Sequence, residues 1–466
     1  MSVIDSSELP VLALPRRPEG RMGLRRFMRA IRENALATHK PENFSADIIA
    51  QRILWRRTFI INEPGAIRHV LLDNAANYTK SEVSRRLLEP GLGRGLLTSE
   101  GETWRRHRRI MAPAFDPRSV AGYAPIMTEV TQALLAKWDA LPAPKELDVA
   151  AAMMHATLHI ISRAMFSSDS DEIVDIVESG VNQYQTTVRP RLLDLLHVPE
   201  WLTHLISPQH TEGIFDEFDR KVDRLLTERG REPDAEPKDL LARLLAARDA
   251  ETGGGMTAKE VRDQVVTIFM AGHETTSQAL SWTWYLLSQH PAVEAKLFDE
   301  LTTVLEGRTP RYEDLANLRY TRMVIEESTR LYPPAHTIAR QPIAADEVLG
   351  QRIPAGAEVL IVPWLLHRKP SLWENPDRFD PERFAPERAA ARPRYAYIPF
   401  GAGPRICIGA AFAMAEAMLI LATIALRYRL HLKPGFPVEP QGLITLRPRY
   451  GLQMTLERRQ DLKNAP

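Results

Sequence analysis

Pro399-Phe400-Gly401-Ala402-Gly403-Pro404-Arg405-Ile406-Cys407-Ile408-Gly409 organises the reading of this chain, because it holds the single cysteine among 466 residues. Without context, one cysteine is a small buried hydrophobe. The neighbours change that. Glycines at 401, 403 and 409 let the backbone turn tightly and approach a ligand with no Cβ in the way. Arg405 adds a fixed cation two residues before the thiol. An apolar run over residues 410–426 follows and reads as a buried helix. A thiolate at that helix's N-terminus gains from the dipole and the free amide donors. The loop suits a sulfur that stays ionised while it ligates a metal.

The next informative stretch lies upstream. Thr257-Ala258-Lys259-Glu260 is a capping box, and the helical pattern runs from it to His290, where Pro291 stops it. Such a helix is on the order of 50 Å long. At its middle stands Ala271-Gly272-His273-Glu274-Thr275-Thr276. Gly272 costs roughly 1 kcal/mol against alanine in a helix interior, and polar residues follow it. Alone, the hexapeptide is explained equally well by a solvent-facing stripe. The apolar flanks, residues 265–271 and 279–287, argue for burial instead. There the Thr275 hydroxyl can bond the carbonyl of Ala271 or Gly272 and open the ladder locally. A groove, a hydroxyl and a carboxylate then share an apolar place.

Phe400, Gly403, Arg405, Cys407 and Gly409 meet the pattern Phe-x-x-Gly-x-Arg-x-Cys-x-Gly, and the segment resembles the haem-binding loop of the cytochrome P450 family. The hexapeptide is similar to that family's Ala-Gly-x-(Asp/Glu)-Thr-Thr helix. Glu327-Ser328-Thr329-Arg330 with Arg383 resembles its Glu-x-x-Arg and second arginine, and Trp104 with Arg108 its Trp-x-x-x-Arg. The four motifs stand in the family's order over roughly residues 45–460, with no departure at the defining positions.

The resemblance implies a cytochrome P450 fold, mainly α with a smaller β region (α+β), holding haem b. Cys407 would be the axial ligand of the iron, and Phe400 part of the haem loop. Trp104, Arg108 and Arg405 would serve the propionates, a task suited to the planar fork of arginine, with Lys80 a further candidate. Glu274 and Thr275 would deliver protons to dioxygen in a site otherwise kept dry. Glu327, Arg330 and Arg383 would form a buried network behind the loop.

Thiolate ligation favours O–O cleavage over reversible O₂ binding, so the implied activity is that of a haem-thiolate monooxygenase. It would insert one atom of O₂ into a lipophilic substrate: a fatty acid, terpenoid, steroid or xenobiotic. Electrons would come from NAD(P)H through a ferredoxin or flavodoxin with its reductase, since no flavin, nicotinamide or iron–sulfur region is expected in the chain. The intact Glu274-Thr275 pair disfavours a rearranging or peroxide-using relative. By the same resemblance, substrate-lining segments fall at residues 81–97, 183–201 and 335–338, with Phe269, Ala271, Ile444 and Thr445. His336 reads as a structural histidine at least as well as a substrate contact. Arg105, Arg106 and Arg109 offer a docking surface for an acidic electron donor.

The bulk numbers agree with a soluble globular enzyme. A net charge of +1 gives no footprint for nucleic acid. One cysteine excludes an internal disulfide and fits a cytoplasmic location. No membrane span is expected: the run at residues 9–14 falls far short of the roughly 20 needed, and the one at 408–426 contains Glu416. Residues 1–45 read as an irregular lead-in, and 46–466 as a single haem domain. Strands are predicted at 57–62, 347–351 and 357–362, with a late hairpin pairing 443–446 with 451–456. Short strands at both ends of a helical chain point to one large α-rich domain with a smaller sheet region rather than separate modules.

Overall fold

The computed structural model describes residues 12–16, 23–53, 56–167 and 239–459, with 216–231 and isolated positions between 168 and 215. The predicted substrate segment 183–201 lies largely outside these residues. Seven helices position the site: α1 Glu82–Leu92, α2 Gly101–Met111, α3 Pro117–Asp139, α4 Val149–Phe166, α5 Ala258–Gln289, α6 Arg319–Leu331 and α7 Ala410–Ala425. The strands are β1 Ile48–Ile53, β2 Arg56–Ile61, β3 Tyr78–Lys80, β4 Glu146–Asp148, β5 Ile338–Pro342, β6 Asp346–Val348, β7 Gln351–Ile353, β8 Glu358–Ile361, β9 Tyr428–Leu432, β10 Pro440–Gly442, β11 Leu446–Pro448 and β12 Gln453–Arg458.

α5 is the spine. Its capping box forms as predicted, with Thr257 and Glu260 exchanging side-chain-to-backbone bonds. Most side chains from Val261 to Leu287 are buried. α4 lies along it, and Thr157 Oγ1 donates to the His273 carbonyl at 2.8 Å. α7 closes the core from another side, stacking Phe412 against Tyr123 of α3 with ring centroids 5.9 Å apart. Glu416, which interrupts the apolar run of α7, is fully buried beside Thr276. Burial pushes its carboxyl up to about 8, so it sits there neutral. The predicted opening of the ladder at Thr275 does not occur: α5 is unbroken, and the threonine bond to Ala271 is added beside the helical ones.

The main sheet has the order β1-β2-β8-β5-β3. β2 runs parallel to β8, with Thr58 opposite Glu358 and Ile61 opposite Ile361, so the sheet joins the two ends of the chain. Phe59, Ile61, Val359 and Ile361 share a second, smaller core with Leu71, Ile398 and Ala402. The sheet thus packs against the start of the cysteine loop.

Two expectations need correction. β10 pairs with β11, while β12 pairs with β9 and β4 and makes no hairpin with residues 443–446. Part of the lead-in is ordered as well. Leu24–Glu33 is a helix, Leu36 is buried, and the Asn34 side chain bonds the main chain of Pro440 and Gly442 at 2.7 and 2.9 Å. Among the described residues one helix, α4, is long and apolar enough to cross a membrane, and 61% of it is buried inside the fold.

Candidate active site

The cysteine loop is shaped by its own main chain. Cys407 N donates to Phe400 O at 2.9 Å, Ile406 N to Gly403 O at 3.1 Å, and Gly401 N to Ile398 O at 3.0 Å. Gly403 has φ +70°, and a Cβ there would lie 1.8 Å from Leu71 O, so a side chain is excluded by conformation and by space. Gly403→Ala is expected to lower both the unfolding midpoint and the haem content, by at least the roughly 1–2 kcal/mol of a left-handed non-glycine residue. Thermal unfolding with a haem assay checks it. Cys407 itself reaches the surface at the loop tip, beside exposed Ile406. Its surroundings push the thiol up by desolvation, while the Gly409 amide and the Arg108 guanidinium pull it down.

Arg108 and Trp104 come from α2, as the spacing of four predicts for one helix face. Arg108 Nη1 donates to Ile406 O at 2.7 Å, so it braces the loop. Arg405 lies over the Trp104 ring, 4.2 Å from its centroid, and pairs with Glu100. Its Nη1 is buried with no hydrogen-bond partner.

Close by, Lys80 and Arg340 stand directly opposite each other on β3 and β5. Like charges so placed destabilise a sheet. Lys80 Nζ donates to Leu96 O and Ser99 O at 2.8 and 3.1 Å. Burial, with Arg405 and Arg340 nearby, pulls it down to about 7, and Arg340 is drawn down to about 10. Three cations around the one carboxylate of Glu100 make a cradle for further negative charge. A flat cofactor bearing two carboxylates and a metal fits this combination of cradle and accessible thiol. Arg340 escaped the sequence reading, since one arginine in a short strand carries no local signal of a charge cluster.

The support behind the loop forms as the resemblance implies. Arg330 grips Glu327 with two bonds of 2.6 and 2.8 Å, and Arg383 adds one at 3.3 Å. Both members of the central pair are fully buried. Arg330 also donates to the carbonyls of His367, Pro376 and Arg378. The His367 ring then accepts the Ile398 amide at 3.0 Å, which connects the network to the strand of chain entering the loop.

On α5, the buried side chains give way at Met270, Gly272 and Thr275, which are half-buried, and Ala271, which is exposed. Thr275 Oγ1 donates to Ala271 O at 2.8 Å on this open face. Glu274 points elsewhere: it is buried and accepts the Thr445 hydroxyl at 2.5 Å. The two side chains therefore diverge, as neighbours about 100° apart on a helix must. His273 is buried and neutral, its imidazole pulled down to about 4 by desolvation.

Both ring nitrogens of His336 are engaged. Its Nδ1 accepts from Thr337 and its Nε2 donates to Leu443 O, both at 2.9 Å. The proposed docking arginines are also occupied, Arg105 with Glu102, Arg106 with Glu260, and Arg109 with Asp249 and Glu251. That face presents paired charges rather than a bare basic patch.

An accessible thiol on a glycine loop, a cation cradle beside it and a helix carrying an acid and an alcohol fit a haem-thiolate oxygenase. The chain belongs to the cytochrome P450 family, whose model matches residues 33–454. It is 36% identical to cyclooctatin synthase of Streptomyces melanosporofaciens, over 88% of this chain and 90% of that one. It is 37% identical to cyclooctat-9-en-7-ol 5-monooxygenase of the same organism, over 84% and 83%. Pentalenene oxygenase of Streptomyces avermitilis is 32% identical over 86% and 88%. Among solved structures, a cytochrome P450DA heme domain superimposes with a TM-score of 0.81, at 28% identity and covering 97% and 98% of the two chains. The protein is a cytochrome P450 monooxygenase, a haem enzyme that uses O₂ on small molecules.

Proposed function

We propose that the haem is ligated by Cys407 and lies along the open face of α5, with its propionates in the cradle of Lys80, Arg340 and Arg405. The observation that carries this is the cradle: two opposed basic side chains and a buried, unpartnered guanidinium nitrogen share one carboxylate, Glu100, and favour further negative charge beside them. Trp104 stacks on Arg405 and holds its plane, Arg108 braces Ile406, and Phe400 bonds the Cys407 amide through its carbonyl. When bound, the haem supplies reductive activation of O₂ and transfer of one oxygen atom to a C–H or C=C bond. The chain's own residues orient it, exclude water and manage protons. Thr275 holds a hydroxyl on the open face, and Glu274, buried on a neighbouring face of the same helix, is the acid that supplies protons.

The substrate we assign is a low-polarity alkene or alkenol. The relatives' names carry such groups, and of fatty acid, terpenoid, steroid and xenobiotic, the terpenoid class fits them. Electrons come from NAD(P)H through a separate ferredoxin or flavodoxin and its reductase, and the single cysteine suits the cytoplasm. Incubation with ferredoxin, reductase, NADPH and a panel of cyclic alkenes and alkenols tests this. The expected result is a substrate-induced spin-state change and a product one oxygen heavier. Turnover with peroxide but never with the redox partners would contradict the electron route.

The cradle also sets a pH dependence. Lys80 titrates near 7 in the folded chain against 10.5 ordinarily, so between those values the unfolded chain binds more protons. Stability of haem-free protein therefore rises with pH across that window and gains nothing from Lys80 below about 7. Urea midpoints at pH 7 and pH 9 should show this slope, reduced in Lys80→Met. Haem carboxylates raise Lys80 again and flatten it.

A further inference from the structure

The turn between β10 and β11 is fastened from several sides. Asn34 holds Pro440 and Gly442. His336 Nε2 donates to Leu443 O at 2.9 Å, and Leu443 N donates to Thr445 O at 3.0 Å. Leu446 N donates to Pro334 O at 3.0 Å, while Trp282 Nε1 donates to Leu446 O at 3.1 Å. Thr445 is thereby fixed in place. Its hydroxyl donates to the Glu274 carboxyl oxygen at 2.5 Å, the short end of O–H···O hydrogen bonds. Both residues are buried, at 4% and 7% exposure. A glutamate side chain with three rotatable bonds is the mobile member of this pair, and a threonine on a fastened turn is the rigid one. The bond therefore sets Glu274.

We propose that Thr445 is a positioning residue for proton delivery. Its hydroxyl holds the Glu274 carboxyl group in one rotamer, tying the acid of α5 to the turn that carries exposed Ile444. Thr445 keeps its own proton throughout. Ile444 is exposed beside Thr445, so substrate contact and proton supply share one short, fastened segment. This rests on the reading of Glu274 as the proton-delivering acid.

The test compares holoenzyme carrying Thr445→Val, Thr445→Ser, Glu274→Gln and the Thr445→Val/Glu274→Gln double change, with Thr445→Ala in reserve should valine prevent folding. Haem content is expected to be unchanged in all. The infrared carboxyl band assigned to Glu274, as the band lost in Glu274→Gln, is expected to move in Thr445→Val and to return in Thr445→Ser. Product formed per NADPH is expected to fall roughly tenfold in Thr445→Val, with hydrogen peroxide making up the difference, as for losing a buried hydrogen bond. The double change is expected to be no worse than Glu274→Gln alone. An unmoved band, or an equal Thr445→Val loss in the Glu274→Gln background, overturns the role of Thr445. Full coupling in Glu274→Gln overturns the reading of the acid itself, and the band then still reports whether Thr445 holds it.

Discussion

Glu327→Gln is expected to yield protein that unfolds early and retains little haem. The glutamate answers two guanidinium groups, and its Oε1 also accepts the Asp380 amide at 2.9 Å. Replacing one oxygen by an NH₂ donor turns attraction into opposition, and Arg330 is left charged with no exposed surface. Breaking a buried pair by removing one partner costs about 3–5 kcal/mol, a large share of the roughly 5–15 kcal/mol that holds a domain folded. The damage also travels. Arg330 fixes His367, and His367 accepts the Ile398 amide, so the cysteine loop loses its anchor. Unfolding midpoints and haem-to-protein ratios measure both effects. Lys296→Gln, which breaks an exposed pair with Glu382, is the control and should cost about 1 kcal/mol or less. Equal behaviour of the two variants would mean that the buried network does not support the loop.

Cys407→His is expected to abolish monooxygenation. A histidine can ligate iron, but it lacks the electron donation by which a thiolate favours O–O cleavage. A fall of at least about 10³-fold, or about 4 kcal/mol in the barrier, is expected. Fold and cradle should survive, because the bonds that close the loop run between main-chain atoms of Phe400, Gly403, Ile406 and Cys407. Product assays at matched haem content separate lost chemistry from lost cofactor. Turnover within tenfold of the parent would remove Cys407 from the chemistry.

What could be read in the sequence is what local chemistry dictates. Of glycines 401, 403 and 409, Gly403 meets the expected close backbone approach while Gly409 has open space, and the capping box at Thr257 announced the start of α5. Glu327 and Arg330 are three residues apart on one helix. Features decided by distant partners were harder. β12 chose β9 and β4 because strand pairing is settled by neighbours in space. The Lys80–Arg340 opposition joins residues far apart in the chain, as does the Thr445–Glu274 bond. Arg106 and Arg109 looked available because their carboxylate partners, Glu260, Asp249 and Glu251, lie about 150 positions away, whereas the partner of Arg105, Glu102, is one helical turn upstream and was legible. The helix Leu24–Glu33 was legible, since Leu24, Phe27, Met28 and Ile31 fall at the i, i+3, i+4, i+7 spacing of one helix face, but it lies in a stretch whose many arginines read as an irregular lead-in.

The central claim is that Cys407 ligates a haem as its thiolate. The most direct measurement is the difference spectrum of the reduced, purified protein on adding carbon monoxide, recorded for the parent and for Cys407→His. The account predicts a strongly red-shifted Soret band in the parent that is lost in the variant. A band of the histidine-ligated type in the parent, or no bound haem at all, would contradict it.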